Sequence, residues 1–303
     1  MQTTRVNVNG RIAGEQDAVV SVFDHGFLYG EGVYEVCRTY HARAFLLDRH
    51  LRRLHESASR LALPVPLPDA EIARRIDETL ASAGLADPTG PDAYVRLLLT
   101  RGVGELSYDP ASCPEPSLVM IVKPFVAPAR DVYDLGVRVA LVSVVRNHPA
   151  SLNPLIKSNN LLNNALAMQE AIRQGAFEAV MRNHRGEISE CSQSNIFVVR
   201  GGTAYTPPLD AGLLAGITRE FLFEVARGLG IPMVEAALRD DDLLAADEAF
   251  ITGTTREVVP VVVVDDHRIG SGHPGPVTRA LLEGFRREAE RLTGGAQAPA
   301  FSA

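Results

Sequence analysis

Hydrophobic positions along the chain follow two periods, and neither is sustained for long. Period-two runs at 6–12, 33–40, 93–100 and 118–122 predict strands, the first folded back on itself at the Asn9-Gly10 pair. Val19, Ser21 and Val22 extend the β pattern, and the glycine- and aromatic-rich stretch 24–32 reads as a loop with a short helical turn. Leu51, Leu54, Ala58 and Leu61 recur at helical spacing up to Pro64, and a second helix is expected over 69–83. The run 124–131, with its prolines and no period, reads as a linker, and Lys123 at its edge is expected to do no chemistry.

Past the linker the pattern predicts a strand at 137–145, then a helix with the apolar stripe Leu161, Ala165, Met168 and Ile172, ended at Gly175. Two hairpins follow, 178–182 with 187–189 and 196–199 with 204–206, then a helix over about 219–229 with Thr218 as its N-cap. Strands at 249–252 and 259–264 and an amphipathic helix over 276–292 complete the order. The Gly/Ala/Pro-rich tail 294–303 is expected to be disordered. The fold class is mixed, α+β or mixed α/β, because strands and helices do not alternate regularly. The expected domains are residues 1–123, a linker at 124–131, and 132–303.

Certain positions break these patterns. In 33–40, Tyr34, Val36 and Arg38 share one face and Glu35 and Cys37 the other, which reads either as a pocket wall or as an edge strand with a solvated arginine. The polar run 190–195 stands where the chain belongs in the core. Gly216 to Thr218 opens a helix and 252–255 is a hydroxyl-rich turn, both suited to an anion. Among 30 lysines and arginines only Lys123 and Lys157 are lysines. A surface charge survives exchange to arginine, whereas an amine that must lose its proton and attack a carbonyl does not.

Composition narrows the classes. With 46% hydrophobic and 22% charged residues, the chain is an ordinary globular one. A net charge of −7 without a basic run argues against nucleic acid. Three scattered cysteines suit neither a disulfide framework nor a zinc site and point to a reducing compartment. The histidines show no ligand spacing, so no metal is expected. With no long apolar run or leader-like start, the protein is expected to be cytoplasmic, with no membrane partner.

A special lysine, a buried-looking carboxylate at Glu190 and two phosphate-suited turns fit pyridoxal 5'-phosphate chemistry. The motifs VYEVCR, RRLHESA, YVRLLLTRG, IKSNNLLNN, ISECSQSNIF, LLAGITR and TGTTREVVPV, in this order, resemble those of the fold-type IV (class IV) pyridoxal-phosphate aminotransferases. That resemblance implies a smaller N-terminal domain and a larger C-terminal domain with a mixed, barrel-like sheet. It implies Lys157 as the Schiff-base lysine and Glu190 as the carboxylate on the pyridine nitrogen. Arg53, the amides of Ile217 and Thr218, and Thr254 are implied at the phosphate, with Leu214 on the ring face. Tyr34, Val36, Arg38, Tyr94, Arg96 and Thr255 are implied in the substrate pocket.

The reaction implied is ping-pong transfer of an amino group between an amino acid, branched-chain-like and L, and a 2-oxo acid such as 2-oxoglutarate. A D-amino-acid transaminase and aminodeoxychorismate lyase are the alternatives. Val36, Ser192 to Ser194 and Leu162 depart from branched-chain enzymes toward the D-type, whereas the loop RGVGELSYDP is of branched-chain style. A cofactor-free Schiff-base aldolase would leave both anion-suited turns unexplained. By the same resemblance, a homodimer or higher homo-oligomer is expected.

Overall fold

Alternation between a fully buried and a half-buried face builds the first sheet. Its strands in the computed structural model, which describes residues 2–294, are β1 (Arg5–Val8), β2 (Arg11–Ala13), β3 (Gly32–Tyr40), β4 (Arg43–Ala44), β5 (Ala93–Thr100) and β6 (Ser117–Pro124). They run antiparallel in the order β2-β1-β6-β5-β3-β4. Asn9 and Gly10 take φ of 51° and 96°, the left-handed pair that a two-residue hairpin needs. Along β3, Val33, Glu35, Cys37 and Thr39 are buried while Tyr34, Val36, Arg38 and Tyr40 are half-exposed.

The helices accompanying this sheet are α1 (His25–Leu28), α2 (Leu47–Ser59) and α3 (Asp69–Ser82). Leu51 and Leu54 of α2 and Ile72 and Ile76 of α3 join Val33, Cys37, Val95 and Leu97 in one core. Two expectations fail here. Val19 and Val22 form no strand and are exposed. Nor does the linker begin at Pro124, which still belongs to β6; Lys123 lies beside it in that strand, opposite Tyr94, with its ammonium 5.2 Å from that ring.

After α4 (Arg130–Asp134) the chain builds a second, mixed sheet. Its strands are β7 (Val137–Leu141), β8 (Glu178–Arg182), β9 (Ile188–Cys191), β10 (Asn195–Arg200), β11 (Thr203–Thr206), β12 (Met233–Glu235), β13 (Glu248–Gly253), β14 (Glu257–Val264) and β15 (His267–Arg268). The order is β12-β11-β10-β13-β14-β7-β8-β9, with β15 on β14. Pairs β11/β12, β14/β7 and β7/β8 are parallel and the rest antiparallel. This is the mixed class expected. Phe197 and Phe250, opposite each other on β10 and β13, stack at 4.8 Å.

The remaining helices are α5 (Leu162–Arg173), α6 (Ile217–Leu229), α7 (Asp240–Leu244) and α8 (Pro276–Thr293). The expected stripe on α5 is corrected: Ala167 and Ala171 pack on Ala140, Ala179 and Met181, while Leu162, Leu166 and Ile172 are exposed. Small side chains let the helix approach the sheet closely, so the large ones are turned away. On α6 the N-cap is Gly216, and Thr218 lies inside the helix, one position past its first residue.

Among the described residues, 2–126, 156–160 and 289–294 make one compact unit; Ala127–Leu155 and Leu161–Glu288 make the other. The division at Val126/Ala127 falls within 124–131, and the short segment Ile156–Asn160 groups with the first unit. Lys157 belongs to the first unit. The expected disordered tail lies, from residue 295 on, outside the described residues.

Candidate active site

In the first unit, Lys157 is held by its backbone. Its N–H donates to Ser57 Oγ of α2 (3.2 Å), and its carbonyl accepts from the Tyr34 N–H at the start of β3 (2.9 Å). Asn159 N–H reaches Gly32 O at 2.9 Å, and Ser158 bridges Val33, so 157–159 runs as an added antiparallel segment on β3. Gly32 is required there: a Cβ would lie 2.6 Å from both Leu99 O and Asn159 Nδ2. The Lys157 ammonium sits 4.4 Å from the Tyr34 ring centroid and the Arg96 guanidinium 4.3 Å from it.

The β3/β5 register puts Val36 opposite Arg96 and Arg38 opposite Tyr94, so Tyr34, Val36, Arg38, Tyr94 and Arg96 share one face, while Thr255 lies in the other unit. Their cations differ, however. Arg38 is committed to Asp92 (Nη2 to Oδ2, 2.9 Å) and lies over Tyr40 and Phe125. Arg96, among the described residues, joins no ion pair.

Behind that face, Glu35 is wholly buried. It accepts from Arg53 Nε (2.7 Å) and Nη2 (2.8 Å) and faces His50 Nδ1 at 2.7 Å. Burial pushes the Glu35 carboxyl up, but Arg53 and His50 outweigh it and bring its pKa down to about 2. His50, for which burial is the largest effect, is held below the ordinary histidine value. The spacing of His50, Arg53 and Ser57 places all three on one side of α2. Arg53 is thus a guanidinium whose plane Glu35 fixes.

In the second unit, Glu190 lies on β9, 5% exposed. It accepts from Arg146 Nε (2.7 Å) and from the Leu214 N–H (3.0 Å). Arg146 in turn donates to Asn163 Oδ1 (3.1 Å), which anchors the guanidinium. These fixed donors hold the Glu190 carboxylate in one place and orientation. Leu214 is itself held, since its carbonyl accepts from Asn195 Nδ2 at 3.0 Å, and its side chain is half-exposed.

Asn195 also organises the anion-suited elements. It is the cross-strand partner of Thr252, and a Cβ on Gly216 would lie 2.0 Å from its Oδ1. The N-terminus of α6 therefore packs against the end of β13. No side chain caps that helix, which leaves the amides of Ile217 and Thr218 to an outside acceptor. Thr252 Oγ1, buried at 1% exposure, has no hydrogen-bond partner among the described residues. Thr254 and Thr255 are half-buried in the turn between β13 and β14. Uncapped amides and an unsatisfied buried hydroxyl fit a phosphate, and Glu190 fits a pyridinium. The residues present are those pyridoxal phosphate needs.

Lys157, Arg53, Tyr34, Val36, Arg38, Tyr94 and Arg96 thus belong to the first unit, and Glu190, Leu214, Ile217, Thr218, Thr254 and Thr255 to the second. Sequence reasoning missed Glu35, His50, Ser57, Arg146 and Asn195. Glu35 had left a signal, a carboxylate on the apolar face of a strand.

Comparison with known proteins gives a consistent picture. The family model described as amino-transferase class IV matches residues 32–264. The chain is 41% identical over 282 residues to a putative branched-chain-amino-acid aminotransferase of Methanocaldococcus jannaschii, covering 93% of this chain and 95% of that one. It is 34% identical over 293 residues to D-alanine aminotransferase of Listeria monocytogenes, covering 96% and 98%. Among solved structures, the branched-chain amino acid aminotransferase of Thermobaculum terrenum, in its PLP-form (holo-form), superposes with a TM-score of 0.84 at 27% identity, covering 96% of each chain.

Proposed function

Since this chain belongs to the class IV aminotransferases and works with pyridoxal 5'-phosphate, we propose that it moves an amino group between a branched-chain-like L-amino acid and a 2-oxo acid such as 2-oxoglutarate. The observation carrying this reading is the Lys157 amine, fixed through its backbone beside Tyr34 and Arg96. When bound, the cofactor supplies an electron sink for the carbanion left as the substrate Cα loses its proton.

The chain's own groups do the rest. Lys157 Nζ takes the proton from the substrate Cα as base and then, as acid, would give it to the cofactor carbon that receives the amino group. Glu190, braced by Arg146 and the Leu214 amide, keeps a proton on the pyridine nitrogen. Arg53, held flat by Glu35, takes the phosphate, as do the Ile217 and Thr218 amides and Thr254. Leu214 covers the ring face. Tyr34, Val36 and Tyr94 line the substrate face, where Arg96, outside every ion pair among the described residues, suits the acid group of a 2-oxo acid or glutamate. Thr255 offers its amide to the substrate carboxylate, and Arg38, tied to Asp92, shapes the wall.

The preference for an L-substrate rests on the 41% identity to the archaeal relative and the branched-chain style of 101–110. Val36 and Ser192 to Ser194 favour the second reading, a D-amino-acid transaminase, and so does the 34% identity to D-alanine aminotransferase. Single half-reactions with L-leucine, L-glutamate and D-alanine, each followed by conversion of the cofactor to its amine form, decide between them. Conversion by D-alanine alone would overturn the L reading. Lys157→Ala should lower turnover by at least about 10²–10⁴-fold. A variant that retains the visible absorbance of lysine-bound cofactor without added amine would remove Lys157 from its role.

We also propose a cytoplasmic homodimer. No helix among the described residues is long and apolar enough to cross a membrane, and the three cysteines are thiols. The first unit exposes Val22, Phe23, Phe27, Val103, Leu106 and Tyr108. The Asp24–Val103 bridge and the Tyr29–Tyr108 ring contact make that surface continuous. An apolar patch of this kind suits a second copy of the chain.

A further inference from the structure

We propose that Glu178 and Arg256 are positioning residues, a buried strut that sets the turn 253–256 and with it the Thr254 hydroxyl. The proposal deepens the reading of that turn as a phosphate site and rests on it.

Glu178 opens β8 and is wholly buried. Its carboxylate accepts from two separate stretches of chain. One is the segment after Glu190: Ser192 Oγ (3.3 Å), the Gln193 N–H and Ser194 Oγ (2.9 Å). The other is Arg256 Nη1. Gln193 N–H and the guanidinium can only donate, so the arrangement fits the ionised carboxylate, although burial pulls its pKa upward. Arg256 also reaches Gln193 Oε1 through Nη2 (3.3 Å) and lies 4.8 Å from the Phe177 ring centroid.

Arg256 is at the same time the last residue of the turn. Its N–H donates to Gly253 O (3.0 Å) and its carbonyl accepts from Tyr133 Oη (3.2 Å). The following residue, Glu257, is held at φ 58°, a left-handed conformation unfavourable for glutamate, with its carboxylate 2.7 Å from Arg286 Nε. The turn is therefore gripped at Arg256 by backbone and side chain together. Arg256 is not needed merely to satisfy Glu178, which three other donors already serve. What the guanidinium adds is a tie between the turn and 192–194, the segment joining Glu190 to Asn195. Through that tie, the groups assigned to the pyridine nitrogen and to the phosphate keep a fixed spacing. Such spacing lets donors act without reorganising.

The test uses the full chain, stripped of cofactor and reloaded with either pyridoxal 5'-phosphate or pyridoxal, which lacks the phosphate. Arg256 is partly exposed, so its truncation leaves the core intact. Arg256→Ala and Glu178→Gln should weaken binding of the phosphorylated form by about tenfold or more, as expected when a charge-assisted hydrogen bond is lost. Pyridoxal binding should stay at the wild-type value, and Arg256→Lys should recover much of the loss. Equal weakening of both ligands, or no weakening, overturns the strut. Thr254→Val serves as the control. If it leaves the ratio of the two affinities unchanged, the phosphate reading of the turn itself fails. If it lowers that ratio while Arg256→Ala does not, the positioning role alone fails.

Discussion

At the scale of single residues, the strongest constraint is the carboxylate of Glu35 inside an apolar core. Removing either Glu35 or Arg53 alone breaks a buried ion pair, which costs about 3–5 kcal/mol. The cluster also makes stability depend on pH in a stated direction. Burial first, with Arg53 and Lys157 adding to it, holds His50 below its ordinary value of 6.5. The unfolded chain therefore takes up a proton that the folded one refuses, and stability falls as pH drops below 6.5. Glu35 is depressed from 4.5 to about 2. Its contribution is present above 4.5 and is lost as pH falls from there through about 2. Urea midpoints across pH should show both losses in that order, and His50→Gln should flatten the first while keeping the second. A His50→Gln profile that falls as steeply as the wild type between about pH 7 and 5 would show that another group is responsible.

At the scale of elements, what the sequence made legible were units with their own periodicity and turn chemistry. The Asn9-Gly10 hairpin, the alternating strand at 33–40 and the two hairpins after 178 were readable because period and turn residues agreed. The errors lie where tertiary packing decided. Val19 to Val22 has β-formers but no partner strand. On α5 the alanines, not the large residues, face the sheet. At the N-cap of α6 the chain has glycine, Gly216, because the Asn195 amide occupies the space that a side chain would need. Gly216 has φ −70°, so the requirement is room rather than conformation. Gly216→Ala must displace Asn195, and with it Leu214 and the Thr252 strand end, at a cost of about 1–3 kcal/mol. The variant should lose bound cofactor on dialysis faster than the wild type. Unchanged retention would mean that α6 can shift without disturbing its N-terminal amides.

At the scale of the whole molecule, Lys157 and Glu190 stand out in the sequence because scarcity and misplaced polarity mark them. Their assignment to different units does not, because the segment 156–160 leaves one unit for the other without a change in composition. The partners that hold them, Ser57 for Lys157 and Arg146 for Glu190, are distant in sequence and follow no period, so only the folded chain reveals them. Association with a second copy is likewise absent from the pattern, yet the surface argues for it. Tyr108 is 86% exposed and Phe27 69%, a state that single scattered hydrophobes tolerate but a continuous patch does not. A charge placed on it would have to be desolvated on association, so Phe27→Asp with Leu106→Asp should convert the proposed dimer to monomers across micromolar concentrations. Sedimentation equilibrium measures this directly, and circular dichroism of the same samples shows whether the fold persists. If the wild-type chain sediments as a monomer at all concentrations while it binds cofactor and turns over, the patch has another purpose and each chain works alone.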